Sequence, residues 1–344
     1  RVGNVDIPCP GAENPDVPAA MTTPDPGYLY STLAEMERLG VDVVVMEVSS
    51  HALYYKKTEP MYFECGIFTG LSPEHLDCHG DMENYFQVKA SMFGRCRKRV
   101  INGLDAWGRR LGGYQISDSM ISNVDVSPSG TEYDLRLGRD TIHIESQVPG
   151  NFTVINTALA AACASYAGVS ADNIAKGIAA VKGIPGRMEK IVGEEDYGFD
   201  VFIDYAHTPA ALEAVLKSFE EDRGRHKKLT VVFGCGGDRD REKRPLMGQI
   251  ACEFADRVIV TSDNPRNENR MDIIRDILGG TDKNVCTIPD RTDAITYALE
   301  TAAAGDIILL CGKGHENYET GPEGKRPFSE RSIVETVLKK KFGK

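Results

Sequence analysis

Residues 229–254 read LTVVFGCGGDRDREKRPLMGQIACEF: an apolar run, a glycine-broken turn dense in charge, then apolar residues at helical spacing. A strand this nearly continuous in apolar side chains belongs in a parallel sheet covered on both faces, and the helix behind it is the cover. The same cycle recurs on both sides. Apolar runs at 199–204, 257–261, 284–288 and 306–310 predict further strands, and residues 210–220, 245–254, 271–278, 292–303 and 330–340 predict the intervening helices. This is a doubly wound, Rossmann-like α/β domain, expected over 184–344, with the GIPG string at 183–186 as its boundary. Upstream, 1–183 forms the other expected domain. Its first strong strand is predicted at 41–48, VDVVVMEV, after a helix over 27–39; a short strand at 65–69 and a helix over 82–93 follow. From 100 to 147, alternating stretches such as TEYDLRLGRDTIHIES predict antiparallel hairpins, and 154–166 an alanine-rich helix.

A chain of 344 residues exceeds what one hydrophobic core usually spans, which agrees with two domains. Hydrophobic residues at 41% and charged residues at 26% describe a folded globular protein. The 40 Lys and Arg against 51 Asp and Glu leave a net charge of −11, which argues against a general nucleic-acid or membrane-surface binder and requires that any anionic ligand be met by local cations. Nine scattered cysteines show no CxxC pair, hence neither zinc spacing nor a disulfide framework, and a reducing cytoplasm is the expected location. No apolar run approaches the roughly eighteen residues of a membrane helix. The opening RVGNVDIPCPGAENP has no signal-peptide character and reads as the interior of a longer chain.

In open parallel sheets ligands sit beyond the carboxyl ends of the strands, so the polar residues after each apolar run are the candidates. In the first domain these are Glu47, Ser49, Ser50 and His51, then Thr69, His75, Asp77 and His79, with Lys89 on the next helix. Glu47 and His75 are of types able to hold a divalent cation beside a phosphate; a helix-capping Glu47 and a hydrogen-bonded loop His75 are the plainer alternatives. In the second domain DYAHTP brings Asp204, suited to a ribose hydroxyl, and His207. Gly234, Gly236 and Gly237 let backbone approach a ligand, and Arg239 and Arg244 offer anion-pairing forks; no GK[ST] follows, so this is no P-loop. A tight turn with solvated charges is the alternative there. TSDNPR combines a carboxylate, an amide and a guanidinium at 263–266, a mixture suited to a zwitterion, against which stands a simple Asx-Pro turn. CGKGHENY adds Gly312, Lys313, His315 and Glu316 at the same edge.

Together the strings MEVSSHAL (46–53), LSPEHLDCHGDMENYFQVKASMF (71–93), GIPGRMEKI (183–191), DYAHTPAALE (204–213), FGCGGDRDREKRPLMG (233–248), TSDNPRNE (261–268) and GKGHENY (312–318) resemble the Mur ligases, in particular their diaminopimelate-adding branch. The resemblance covers essentially the whole chain. It implies a central P-loop-type ATPase domain, incomplete here, followed by the amino-acid-binding domain, and an ATP-dependent amide-bond ligase acting through an acyl phosphate in peptidoglycan synthesis. It further implies Mg2+ and ATP, with the UDP-N-acetylmuramoyl dipeptide and meso-diaminopimelate as substrates, no nucleic acid, no membrane, and a monomer.

By the same resemblance Glu47 and His75 are magnesium ligands, and Lys89 is the lysine that carbon dioxide carbamylates; a plain surface lysine is the alternative. Thr22, Thr23 and Ser49 match dipeptide-binding positions. Tyr55 and Lys57 stand where many relatives have Gln and Arg, which alters the expected contacts there. Asn156, Arg187, Asp204 and His207 match nucleotide-contacting positions. Arg239, Asp263, Asn264, Pro265, Arg266, Gly312 and Glu316 match the amino-acid pocket, and Arg266 favours diaminopimelate over L-lysine. A GTNGKT-type phosphate loop and a uridine-binding domain are expected before residue 1, and without them the chain as given is expected to be inactive. The competing readings are a non-catalytic amino-acid-binding module, an L-lysine-adding enzyme, and a related polyglutamate or cyanophycin synthetase.

Overall fold

Residues 22–219, 228–281 and 285–343, apart from the Asp77 side chain, are described by a computed structural model. They gather into two compact units, one comprising the chain up to Ser117 with Ala162–Ala167, the other Asp118–Ala161 with Gly168 onward. This division differs from the expected boundary at residue 183, because the antiparallel strands after Ser117 pack within the second unit.

The first unit begins with α1 (Pro26–Arg38), where Pro26 occupies the first turn, a position that needs no backbone donor. After it come α2 (Ser50–Tyr54), β1 (Phe63–Phe68), α3 (Leu76–His79), α4 (Met82–Ser91), β2 (Cys96–Asn102) and β3 (Tyr114–Ile116). The three strands form one parallel sheet in the order β1-β2-β3, with Phe68, Phe86, Phe93, Cys96 and Ile101 as its core. Two expectations fail here. Residues 41–48 form no strand: the VVV run has the propensity but no ladder partner among the described residues, and Val43 and Val45 remain 71% and 80% exposed. The segment from Val100 opens inside a parallel strand, because the helices after β1 provide the long crossover that parallel pairing requires.

Antiparallel pairing starts in the second unit, with β4 (Ile121–Ser127), β5 (Gly130–Leu137) and β6 (Asp140–Ser146). Along β5, Thr131, Tyr133, Leu135 and Leu137 are buried, the period-two alternation read in the sequence. Two helices follow, α5 (Asn151–Tyr166), whose end belongs to the first unit, and α6 (Ala171–Ala179).

The remaining chain builds β7 (Glu189–Val192), α7 (Glu194–Tyr197), β8 (Asp200–Asp204), α8 (Pro209–Lys217), β9 (Leu229–Phe233), α9 (Lys243–Phe254), β10 (Arg257–Val260), α10 (Arg270–Leu278), β11 (Cys286–Thr287), α11 (Arg291–Glu300), β12 (Ile307–Cys311), the hairpin β13 (Tyr318–Gly321) with β14 (Gly324–Pro327), and α12 (Glu330–Phe342). Glu220 and Asn284, expected at the ends of a helix and a strand, lie outside the described residues. Six strands form one sheet in the order β11-β10-β9-β12-β8-β7, parallel except for β7 at the edge. Alternate residues serve two cores. Ile307, Leu309 and Cys311 join α8, α9 and α10 on one face, while Ile308 and Leu310 join α11 and α12 on the other. The crossovers change face after β11, when the chain returns to place β12 between β9 and β8; the crevice beyond the carboxyl ends of β10, β9 and β12 is therefore the ligand position of this architecture.

No helix among the described residues is long and apolar enough to cross a membrane. Leu309 is wholly buried in the central strand β12. Leu309→Ala is expected to cost about 2–5 kcal/mol of the second unit's stability through the cavity it leaves, measured by urea unfolding.

Candidate functional site

The loops after β10 and β12 meet through side chains, not through a ladder. Asn264 donates its amide to Glu316 Oε2 at 2.8 Å, while its carbonyl accepts from Lys313 Nζ at 3.1 Å and from the Thr320 amide at 2.8 Å. Asn264 is thus a bridge between loops, which a simple Asx-Pro turn does not explain. Lys313 is fully buried, also donates to the Tyr318 carbonyl, and stands 3.5 Å from Asp263 Oδ1 and 3.7 Å from Glu316. Gly312 adopts φ +117, and a Cβ there would meet Asp263 Oδ2 at 2.8 Å, so glycine is required for both conformation and close approach. The structure thereby brings together Asp263, Asn264, Pro265, Gly312 and Glu316, five of the seven positions expected to form the pocket.

Arg266 completes one wall. It is half-buried at φ +50 and donates Nη1 to the Gly237 carbonyl at 2.8 Å. Burial, and after it the like charge of Arg239, push its guanidinium below the ordinary value. Arg239 itself is exposed and donates to the Asp238 carbonyl at 3.0 Å. A half-buried cation beside a second cation is held at an energetic cost that an anionic ligand would offset. Gly237, read as a point of backbone approach to a ligand, is packed against the Pro265 carbonyl and serves the neighbouring loop instead.

Beside this crevice, Asp204 ends β8 and accepts from the amides of Met188 and Ala206, both at 2.7 Å. Burial raises its carboxyl above the usual range, and those two amides offset only part of the shift. Its primary work is to hold the loop carrying Arg187, and its remaining lone pairs are what a ribose could use. The Arg187 guanidinium lies 4.7 Å from the centroid of Tyr205, whose ring also faces His207 at 4.7 Å and His315 at 5.6 Å. Burial pushes the Tyr205 phenol up to about 12. His207 pairs its Nδ1 with the Tyr205 carbonyl at 2.9 Å. The fourth expected nucleotide position, Asn156, is exposed on α5, and no contact of its side chain with Arg187, Asp204 or His207 is observed.

In the first unit Thr23 is buried, donating to the Glu47 carbonyl and accepting from the Ser49 amide, both at 3.0 Å. Ser49 in turn caps α2 through the Ala52 amide at 3.2 Å. Lys57 reaches Asp25 at 2.7 Å, whereas Thr22 and Tyr55 are exposed. A ring cluster follows: His51 and His75 meet edge-on at 4.8 Å, His79 stacks on Tyr85 at 4.8 Å, and His79 Nε2 shares a hydrogen bond with Ser50 Oγ at 3.0 Å. Lys89 Nζ lies 5.7 Å from the Tyr85 ring and 5.9 Å from Phe68. Burial lowers the Lys89 amine below its ordinary value, raising the share of neutral, nucleophilic amine. Glu47 is exposed, and among the described residues no three His, Cys, Asp or Glu are grouped to hold a metal ion unaided. Any cation there must draw further ligands from a modified Lys89, from substrate or from water.

Tyr205 is a neighbour of the candidate site that the sequence reading did not single out, whereas Lys313 was named at the strand edge without a specific role. Arg244 moves the other way. Read as an anion-pairing fork, it is fully buried, and its two terminal nitrogens are taken internally by Glu268 at 2.8 Å, Asp276 at 2.9 Å and the Gly236 carbonyl at 3.2 Å, while its Nε has no hydrogen-bond partner among the described residues.

The family model described as "Mur ligase middle domain" matches residues 6–164, and "Mur ligase, glutamate ligase domain" matches 186–314. A UDP-N-acetylmuramoyl-L-alanyl-D-glutamate–2,6-diaminopimelate ligase of Clostridium acetobutylicum is 38% identical over 335 residues, 93% of this chain and 69% of the relative. Its counterpart in Geobacillus thermodenitrificans is 37% identical over 347 residues, 94% of this chain and 70% of the relative. A solved structure of an enzyme of the same name superposes with a TM-score of 0.57 at 34% identity, covering 86% of this chain and 64% of that one. A Mycobacterium tuberculosis folylpolyglutamate synthase superposes at 0.60 with 19% identity, covering 84% and 66%, a likeness of fold alone.

Arg244 holds the carboxyls of Glu268 and Asp276 below the usual range, in Asp276 after the larger effect of Arg241. Depressed carboxylates contribute stability above their unfolded pKa near 4, which is lost as pH falls through the lower folded values. Arg244→Met is expected to destabilise the protein at pH 7 by about 3 kcal/mol and to flatten the acid limb of the stability profile, measured by urea unfolding between pH 7 and 2.

Proposed function

The chain belongs to the Mur ligase family, and from that premise we propose that it joins meso-diaminopimelate to UDP-N-acetylmuramoyl-L-alanyl-D-glutamate at the expense of ATP, in the cytoplasm, as a step of peptidoglycan synthesis. It spans about 70% of the curated relatives named above. The observation that carries the reading is the cross-linked pocket in which Asp263, Asn264 and Glu316 face the same crevice edge as the half-buried Arg266.

Diaminopimelate has two amino-acid ends. One amine attacks the dipeptide carboxylate after ATP has converted it to an acyl phosphate, and the tetrahedral adduct expels phosphate. The other end is a zwitterion. Arg266, with Arg239 beside it, pairs the distal carboxylate, and Asp263, whose Oδ1 has no hydrogen-bond partner among the described residues, meets the distal ammonium together with Glu316. L-Lysine lacks the distal carboxylate and would leave the desolvated Arg266 charge unpaired, a penalty that discriminates more strongly than a missing methylene does. Gly312 completes the pocket, Arg187, Asp204 and His207 hold the nucleotide with Asn156, and Thr22, Thr23, Ser49, Tyr55 and Lys57 hold the muramyl dipeptide.

Glu47 and His75 fit magnesium, which takes few protein ligands and completes its shell with water and substrate phosphates. Bound there, the ion neutralises the charge that develops on the transferred phosphoryl group. Lys89, whose proton is easier to lose because of burial, attacks carbon dioxide once deprotonated to give a carbamate and a proton; the new anion takes its place in that site beside Tyr85 and Phe68.

Phosphate release by the full-length protein with UDP-muramyl dipeptide and ATP is expected to be faster with meso-diaminopimelate than with L-lysine; the reverse order would overturn the substrate assignment. Arg266→Ala should raise the KM for diaminopimelate by roughly ten- to a hundredfold, the worth of a charged hydrogen bond of about 1.5–3 kcal/mol, with kcat changed far less. Lys89→Arg, which keeps the charge and cannot be carbamylated, should lower kcat by about a hundredfold or more while leaving dipeptide binding intact, as measured by single-turnover kinetics and calorimetry.

A further inference from the structure

Arg291 opens α11 and is 2% exposed. Its guanidinium donates Nη1 to the Ser262 carbonyl at 3.1 Å, Nη2 to the Cys311 carbonyl at 2.6 Å and Nε to Glu330 Oε1 at 2.8 Å. Cys311 ends β12, and Ser262 lies just beyond the end of β10. Those two strands are not neighbours: β9 runs between them, so no ladder bond fixes the distance between the loops that follow. Asp263, Asn264 and Arg266 follow the first carbonyl directly, and Gly312 and Glu316 follow the second.

A fully desolvated guanidinium is an expensive way to fill space. An apolar pair of similar volume commonly serves stability as well or better than a buried ion pair does. What an apolar pair cannot do is hold two backbone carbonyls at a set separation, which the rigid fork of arginine does and the single ammonium of lysine does not. Glu330, from the start of α12, is 2% exposed and anchors the third side of that fork. The direct link between the loops, Asn264 to Glu316 and Lys313, lies among the recognition residues themselves; the Arg291 link lies beneath them, at the strand ends.

We propose that Arg291 is a positioning residue for amino-acid selection: it spans the end of β9 to fix the separation of the 262–266 and 311–316 loops, with Glu330 holding its fork in register. The proposal rests on the pocket assignment made under the proposed function, since the two loops carry that pocket. It accounts for a charge pair buried in the core where hydrophobic side chains would suffice for folding.

The test compares the wild type, Arg291→Lys, and the double variant Arg291→Met/Glu330→Leu in three measurements: thermal midpoint, amide hydrogen exchange of both loops without ligand, and the Kd for meso-diaminopimelate by calorimetry, with the KM for ATP as control. The double variant is expected to keep its midpoint, to exchange faster in both loops, and to bind diaminopimelate roughly ten- to a hundredfold more weakly, the scale of a small misplacement of recognition groups, with the KM for ATP unchanged. Arg291→Lys, which retains the charge opposite Glu330, should show the same loop exchange and the same weakening, and it carries the test if the double variant fails to fold. Wild-type exchange and affinity in either folded variant would overturn the proposal. If the wild type binds no diaminopimelate, the pocket assignment fails on its own, while the exchange of the two loops still decides whether Arg291 sets their separation.

Discussion

Parallel pairing of β8 to β12 is the constraint from which the second unit follows. It sends every carboxyl end to one edge, so the loops at 205–208, 234–242, 261–269 and 312–317 converge without any further device. It also needs cover on both faces, which the two hydrophobic cores supply from alternate residues of the same strands. Isolated backbone bonds join the convergent loops in part, from the Gly237 amide to the Asn264 carbonyl at 2.9 Å and from the Arg266 amide to the Thr320 carbonyl at 3.0 Å. Specific polar side chains, Asn264 and Lys313 above and Arg291 below, make the remaining connections.

Those connections trade desolvation against geometry. Lys313 and Arg291 are buried cations, each satisfied by carbonyl oxygens as well as by carboxylates. A backbone carbonyl accepts a hydrogen bond without carrying a full charge, so each cation is solvated by the loops it ties together. Arg266 differs. Its hydrogen-bond partners are the Gly237 and Asn264 carbonyls, at 2.8 and 3.4 Å, and burial and the like charge of Arg239 outweigh the attraction of the Asp263, Glu316 and Asp238 carboxylates. The contrast separates cations that the protein satisfies within itself from one that an anionic ligand could still stabilise.

Legibility in the sequence followed how local the deciding interaction is. Strands β8, β9, β10 and β12 and their helices were readable to within a few residues, because continuous apolar runs with glycine and proline punctuation are set by the chain itself. Residues 41–48 carry the same signature and form no strand, since a strand exists only through its partner. Arg239 and Arg244 sit five residues apart in one charged string, yet the first is exposed and the second fully buried against Glu268 and Asp276. Those partners lie more than twenty residues away, so no local pattern separates the two roles. Arg291 was invisible for the same reason: a lone arginine at a helix start reveals nothing until Ser262 and Cys311 are brought to it.

The net charge of −11 acquires a physical reading in these terms. The substrates of the proposed function are anionic and would need cations, and an acidic surface does not supply them by field. The candidate cations differ in how far they leave solvent: Arg266 is half-buried and Lys89 is partly buried near Tyr85 and Phe68, whereas Arg187 lies over Tyr205 and is exposed. At short range and low dielectric a single charge outweighs many screened ones at the surface. Aromatic rings flank two of these three cations without neutralising the charge, which leaves each able to respond to an arriving anion, and burial makes it easier for Lys89 to lose its proton and become a neutral amine.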